Sequence, residues 1–230
     1  MDPITRFQST YMSYADRLAE WMYGFIMVAV MVGIIGGYSE VLLESDLGYV
    51  RWYLTVVLVV MTFGVNIVWG IIDGYAVVYG GLVDRADQEE ILEALKKDRS
   101  NRELRDKVLD SLDDASTTYL SDEEKEKLVD RLIDAAPETP KRYKFTREDR
   151  NTLIAIASCD ILAVIPVIIP YLLFGFGTFP TMLSRLIAAL ALGYIAYRFA
   201  EHTGRRKWVM AGAWVVLILV IMAVTYYFGW

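Results

Sequence analysis

Trp52–Val83 reads WYLTVVLVVMTFGVNIVWGIIDGYAVVYGGLV, and the chain then turns abruptly to DRADQEEILEALKKDRS from Asp84 onward. The first stretch carries a single charged residue, Asp73, and no proline. It lacks the period-two alternation of a barrel strand. A hydrocarbon core of ~30 Å takes roughly 20 residues of helix, so this apolar run is longer than a span needs and must tilt or protrude. The switch at Asp84 predicts that the helix leaves the bilayer there and continues into water.

Four more apolar runs lie on either side: Trp21–Tyr38, Thr152–Phe174, Met182–Phe199 and Trp208–Phe228. The chain is 55% hydrophobic yet 23% charged. Those figures coexist because charge and hydrophobicity are segregated. Residues 84–150 hold 20 acidic against 15 basic side chains, nearly the whole formal charge of −6. The expected fold is an all-α polytopic membrane protein with five spans and an acidic three-helix insert between spans two and three. Its parts are an N-terminal amphipathic helix over 1–20, two spans over 21–83, the insert over 84–150, and three spans over 151–230.

The Lys/Arg distribution sets the expected orientation. Arg6 and Arg17 precede span one. Lys141, Arg142, Lys144, Arg147 and Arg150 precede span three, and Arg198, Arg205, Arg206 and Lys207 join spans four and five. Only Arg51 and Arg185 fall on the other side. The N-terminus and the insert are therefore expected in the cytoplasm, and Trp230 outside. The first twenty residues show no cleavable signal, so span one is expected to target the chain. A sequence pI near 4.9 gives no nucleic-acid footprint.

Ile4, Phe7, Tyr11, Tyr14 and Leu18 recur at helical spacing, which predicts an amphipathic helix over Ile4–Glu20 on the inner surface. The alternative is a simple extension of span one. In the insert, Ser100 with Glu103 and Ser121 with Glu124 have capping-box spacing. They open helices carrying Leu104, Val108, Leu109 and Leu112, then Leu128, Val129, Leu132 and Ile133. Pro137 and Pro140 close the last of these, and Thr146 with Asp149 begins the approach to span three. The narrow apolar stripes imply packing on a second copy or on the stem of span two.

Ionisable groups inside spans are costly and mark interior or water-filled paths. Thr62, Asn66, Gly70 and Asp73 form one stripe on span two. Asp160 lies at comparable depth on span three. Two such carboxylates suit a hard cation, with the Asn66 carbonyl as a further donor. The bland reading is that each carboxylate pairs with a surface cation such as Arg198. On span one, Gly24, Met27 and Met31 share a face, and thioethers favour softer metals such as iron, although methionine also serves as packing filler. Gly33 and Gly37 form a small-xxx-small pair. Pro166 and Pro170 predict a bent span three.

On the insert, Asp84, Asp87, Glu89, Glu90 and Glu93 are candidate collectors of divalent ions; a solvated helix face is the default for such a run. Asp110 to Asp114 lacks the ligand order of an EF-hand. Cys159 is more readily a packed small residue than a soft ligand, and the lone His202 is assigned no role. No P-loop, nucleophile elbow or metalloprotease motif is present, so an enzyme is not expected and no cofactor is implied.

Ala163-Val164-Ile165-Pro166-Val167-Ile168-Ile169-Pro170-Tyr171 resembles the G-G-L-I-P-L-I-P-Y type of third span found in the vacuolar iron transporter family. Leu192-Gly193-Tyr194-Ile195-Ala196-Tyr197 with Thr203-Gly204 is similar to that family's fourth span and following loop. The resemblance implies a homodimer that moves iron(II) or manganese(II) out of the cytosol, with protons as counter-ion and the path at the subunit interface. On that pattern Asp73, Asn66 and Met27 coordinate the ion. The chain departs from the family where Met27-Val28 stands for a first-span Asp-Gly pair and where Asn66 stands for a second-span glutamate. A non-transporting scaffold on the same fold and an ion channel remain as alternative functions.

Overall fold

The computed structural model describes residues 2–37, 48–112, 117–136 and 143–228. Within them lie eight helices and no strand: α1 (Pro3–Tyr11), α2 (Tyr14–Gly37), α3 (Gly48–Lys97), α4 (Arg102–Ser111), α5 (Asp122–Ala135), α6 (Arg147–Phe174), α7 (Thr178–His202) and α8 (Lys207–Phe228). Expectations for Tyr38, Asp113, Asp114, Pro137, Pro140, Lys141, Arg142 and Trp230 lie outside the described residues. Helices α2, α3, α6, α7 and α8 are long and apolar enough to cross a membrane, with mean hydropathy of 1.5 to 2.5 in their most apolar windows. That is the all-α, five-span layout read from the sequence.

The chain divides into two compact units, Met1–Tyr75 with Arg147–Trp230, and Ala76–Thr146. In the first, α6 is the central helix. Ala155, Ala157, Cys159 and Ala163 are all buried on it, and these small side chains let α1, α2 and α3 approach its backbone closely. The shared core runs through Val28 and Val32 of α2, Leu58 of α3, Val164 and Val167 of α6, Leu192 of α7 and Ile218 of α8. Helix α8 is peripheral, with Trp208, Val209 and Val216 exposed as on a lipid-facing surface.

The N-terminal segment is not one helix. Asp2 accepts the Thr5 N–H at 2.9 Å to cap α1, and the chain turns extended at Met12. Ser13 and Asp16 then cap each other reciprocally, the Asp16 N–H reaching Ser13 Oγ at 3.1 Å and the Ser13 N–H reaching Asp16 Oδ2 at 3.3 Å. This is a capping box, and it starts α2 at Tyr14. Residues 14–20 therefore belong to the spanning helix, which corrects the expected boundary at Glu20. Helix α1 is docked on α6: Gln8 Nε2 donates to Ser158 Oγ at 2.9 Å, and Asn151 Nδ2 donates to the Tyr11 hydroxyl at 2.8 Å.

Helix α6 continues through Pro166 and Pro170. It ends where Gly175, at φ +71°, returns its N–H to the Tyr171 carbonyl at 2.9 Å. That left-handed cap favours glycine. Arg51 donates to the carbonyls of Phe176 and Phe174 at 3.0 and 3.3 Å, covering acceptors the helix end leaves open. Gly36 makes a close helix contact in this region. A Cβ there would lie 2.8 Å from Thr181 Cγ2.

In the second unit, Val108 of α4 and Val129 and Ile133 of α5 are buried with Leu95 of α3. The insert thus packs on the stem of span two. Arg105 is its polar clamp, donating to Glu126 at 2.7 Å and to Asp130 at 2.9 Å. Those carboxylates hold the guanidinium charged, raising its pKa against the cost of burial. The Ser121–Glu124 capping box forms as expected. Ser100 does not cap α4; Asn101 does, accepting from the Leu104 N–H at 3.2 Å, while Ser100 bonds Asp98. An Asx side chain is at least as good an N-cap as serine, and it stands one residue later.

Candidate functional site

Three spans each bring one carboxylate to the same place. Glu20 of α2, Asp73 of α3 and Asp160 of α6 each offer an oxygen, and the three oxygens lie within 4.8 Å of one another. Glu20 is 6% exposed and Asp160 3% exposed. Asp73 is half-buried.

Glycines set this convergence. A Cβ on Gly24 would fall 2.8 Å from Ala163 Cβ, 2.9 Å from Asp160 Cα and 3.1 Å from Asp160 Oδ1. On the opposite flank, a Cβ on Gly70 would fall 2.9 Å from Ala157 Cα and 3.1 Å from Asp160 Oδ2. Asp160 therefore sits in a slot between two bare stretches of helix. One turn further along α3, Gly74 lies as close to Leu153. The buried face of α3 runs Thr55, Leu58, Thr62, Asn66, Gly70 and Gly74, and Asp73 leans from its edge.

The cluster opens onto a cavity of about 230 Å³ lined by Tyr23, Ile26, Met27, Trp69, Asp73 and Asp160. Met27 thus borders the carboxylates. Met31, one turn on, is half-buried and is not part of this lining.

No arginine or lysine neutralises the cluster among the described residues. Arg198 is engaged with Glu201 at 3.3 Å and with the Tyr194 hydroxyl at 3.2 Å. Arg17 stacks on the Tyr14 ring, 5.6 Å from its centroid. Glu20 Oε2 is buried with no hydrogen-bond partner among the described residues. Asn66 donates its Nδ2 to the Thr62 carbonyl at 3.0 Å, which fixes the amide plane. Its Oδ1, and Thr62 Oγ1, are left without partners there. Buried polar atoms without partners are rare in native folds; of these three, Glu20 Oε2 belongs to the cluster, while Asn66 and Thr62 lie about two and three turns along α3 from Asp73.

Such a group of oxygens suits a hard or borderline divalent cation. Three ionised carboxylates crowded together in an apolar bundle repel one another and lose hydration. A bound cation, or protons, must balance them. The thioether of Met27 adds a softer donor at the cavity wall.

Sequence reading placed Asp73 and Asp160 at matching depth, and the fold brings them together. Glu20 was not singled out. Its signal was present: Glu20, Gly24, Met27 and Met31 share one helical face, and the stripe begins one residue before the boundary drawn at Trp21. The insert carboxylates behave differently. Asp84, Asp87 and Glu90 are exposed, Glu89 accepts from the Tyr143 hydroxyl, and Glu93 pairs with Lys97 at 2.9 Å. Among the described residues, no three of them converge as Glu20, Asp73 and Asp160 do. Cys159 is fully buried, its thiol directed to the Ala155 carbonyl at 3.5 Å. His202 packs its ring 4.5 Å from that of Tyr14.

Comparison with protein-family models and with curated proteins finds no match to this chain.

Proposed function

We propose that this chain is a membrane transporter of divalent cations of the iron(II)/manganese(II) class, with Glu20, Asp73 and Asp160 as the groups that hold the ion in transit. The observation that carries this reading is the meeting of three carboxylates from three spans, with no basic partner among the described residues, at the wall of a cavity. Structural ion pairs in a membrane bundle come with their counter-charge; this cluster leaves the counter-charge to be supplied from outside the chain. Protons that replace the departing metal would keep the site balanced, which gives proton coupling a chemical basis. Met27 at the cavity wall, together with the resemblance in α6 and α7, supports a transition metal over calcium or magnesium.

Export from the cytosol is the direction that the resemblance in α6 and α7 implies, with the acidic stem on the side from which the ion would be collected. A homodimer fits the outer face of α3. Val60, Met61, Val68 and Trp69 stay exposed there around Gly64, which has nothing within 4 Å. A smooth strip of this kind suits a helix of a second copy. The ion-holding cluster itself is assembled within one chain.

Reconstituted protein should carry manganese(II) into liposomes loaded with a metal-sensitive dye. Glu20→Gln, Asp73→Asn and Asp160→Asn should each reduce the flux to the protein-free rate and abolish the manganese-dependent rise in thermal stability. Flux unchanged by all three substitutions would remove the cluster from the mechanism.

A further inference from the structure

A second opening, of about 480 Å³, lies between α2, α7 and α8 and is lined by Met22, Phe199, Met210 and Trp214 with Thr203 and Arg205 among its wall residues. That volume falls in the ~300–1,000 Å³ range of small-molecule sites. Most of its wall is apolar, as a hydrocarbon chain requires.

Its mouth is basic. Gly204, at φ +68°, makes the tight turn between α7 and α8 and is followed directly by Arg205, Arg206 and Lys207. Glu201 accounts for two cations of this region, Arg198 at 3.3 Å and Lys207 at 2.8 Å. Arg205 and Arg206 are exposed and form no ion pair among the described residues. Arg17 and Arg198 lie over the same Tyr14 ring, 5.6 and 5.7 Å from its centroid, so the start of α2 adds its charge to the same end of the bundle. Trp208 is 80% exposed, with its ring 5.1 Å from that of Tyr197. Exposed tryptophan and tyrosine beside basic residues mark headgroup depth.

We propose that this groove is a binding site for an anionic glycerophospholipid, with its phosphate at Arg205 and Arg206 and an acyl chain lying on Met22, Phe199, Met210 and Trp214. Charge complementarity selects an anionic over a zwitterionic headgroup. The apolar wall selects a lipid over a free phosphate. The positive-inside bias expects these basic residues on the cytoplasmic leaflet, which is the anionic one. The inference does not depend on the cation cluster.

The test is native mass spectrometry of the purified full-length chain released from nanodiscs of equal phosphatidylglycerol and phosphatidylcholine. Wild type should retain phosphatidylglycerol preferentially, and ten-millimolar-scale inorganic phosphate should not displace it. Each juxtamembrane cation contributes about fivefold to anionic-lipid affinity, so Arg205→Gln with Arg206→Gln should weaken retention about 30-fold. Arg205→Lys with Arg206→Lys should restore most of it. These exposed, unpaired positions should leave thermal stability in a neutral detergent unchanged, which separates lost binding from lost folding. A phosphatidylglycerol analogue bearing a diazirine on its acyl chain should label Met210 or Trp214. Equal retention of both lipids by wild type, displacement by inorganic phosphate, or labelling confined to helices other than α2, α7 and α8 would each overturn the proposal.

Discussion

Gly24→Ala adds one methyl group at the tightest point beside Asp160. Its Cβ would meet Ala163 Cβ at 2.8 Å and Asp160 Cα at 2.9 Å, whereas carbon atoms pack best at about 3.5–4.0 Å. Neither neighbour is the end of a flexible side chain, so α6 must retreat from α2 by about 0.7 Å or more. Overpacking of this kind costs about 1–3 kcal/mol, and backbone contacts belong to the upper part of that range. Alanine returns up to about 1 kcal/mol through helix propensity. The net loss is about 1–2 kcal/mol, or roughly 2–8 °C in melting temperature for a chain of this size. The same retreat carries the Asp160 carboxylate away from Glu20 and Asp73 by a large fraction of a metal–oxygen bond of about 2.0–2.6 Å. Manganese(II) affinity should therefore fall at least tenfold. Thermal unfolding in detergent, with and without manganese, measures both effects. Gly212→Ala is the control, because a Cβ there meets nothing within 4 Å, and it should leave both values unchanged or raise stability slightly. A Gly24→Ala protein as stable and as metal-responsive as Gly212→Ala would refute the glycine slot as the device that sets the cluster.

Other outcomes follow from separate parts of the fold. Arg105→Ala removes a clamp on Glu126 and Asp130 and should destabilise Ala76–Thr146 by about 1–3 kcal/mol, read as faster amide exchange across α4 and α5 in the full chain. Asn101→Ala deletes the α4 cap and should cost about 1 kcal/mol, with exchange rising first over Arg102–Arg105. Hydrogen bonds from Ser121 hold the Glu124 carboxyl below its usual 4.5. Its contribution to α5 is thus present above that pH and lost as pH falls through the lowered value, so exchange corrected for its intrinsic pH dependence should accelerate at the start of α5 on acidification and not in Glu124→Gln, which has no carboxyl to titrate. Tyr171→Phe removes the bond to Thr181 Oγ1 but leaves that hydroxyl its Gly177 carbonyl at 2.7 Å, and should cost about 0.5–1.5 kcal/mol in thermal unfolding.

The spans were legible because each is a long apolar run, and the length of Trp52–Val83 against the bilayer already demanded a helix that outlasts the membrane. The depth of Asp73 and Asp160 followed from counting residues inward from charged ends. Glu20 was hidden because charge near the start of a span reads as an interfacial residue. The Ser13–Asp16 cap that draws residues 14–20 into α2 is a two-residue signal inside a stretch that also satisfies a surface-helix pattern. The neighbours of Gly24 and Gly70 were beyond sequence reading for another reason. A glycine in a span is compatible with lipid, with a second copy or with a backbone in contact, and only the packing of α6 separates these. The insert's acidic run is largely exposed and no three of its described carboxylates converge, since helical spacing alone does not bring oxygens together.

The slot that holds Asp160 restricts how the protein can work. Its flanks are main chain, so turning one side chain to a new rotamer does not widen it. Widening the slot then requires a whole helix to slide or tilt, and closely packed helices exchange between a few discrete seatings instead of deforming gradually. A cargo that needs a wider slot would be handled in steps, in time with the movement of helices.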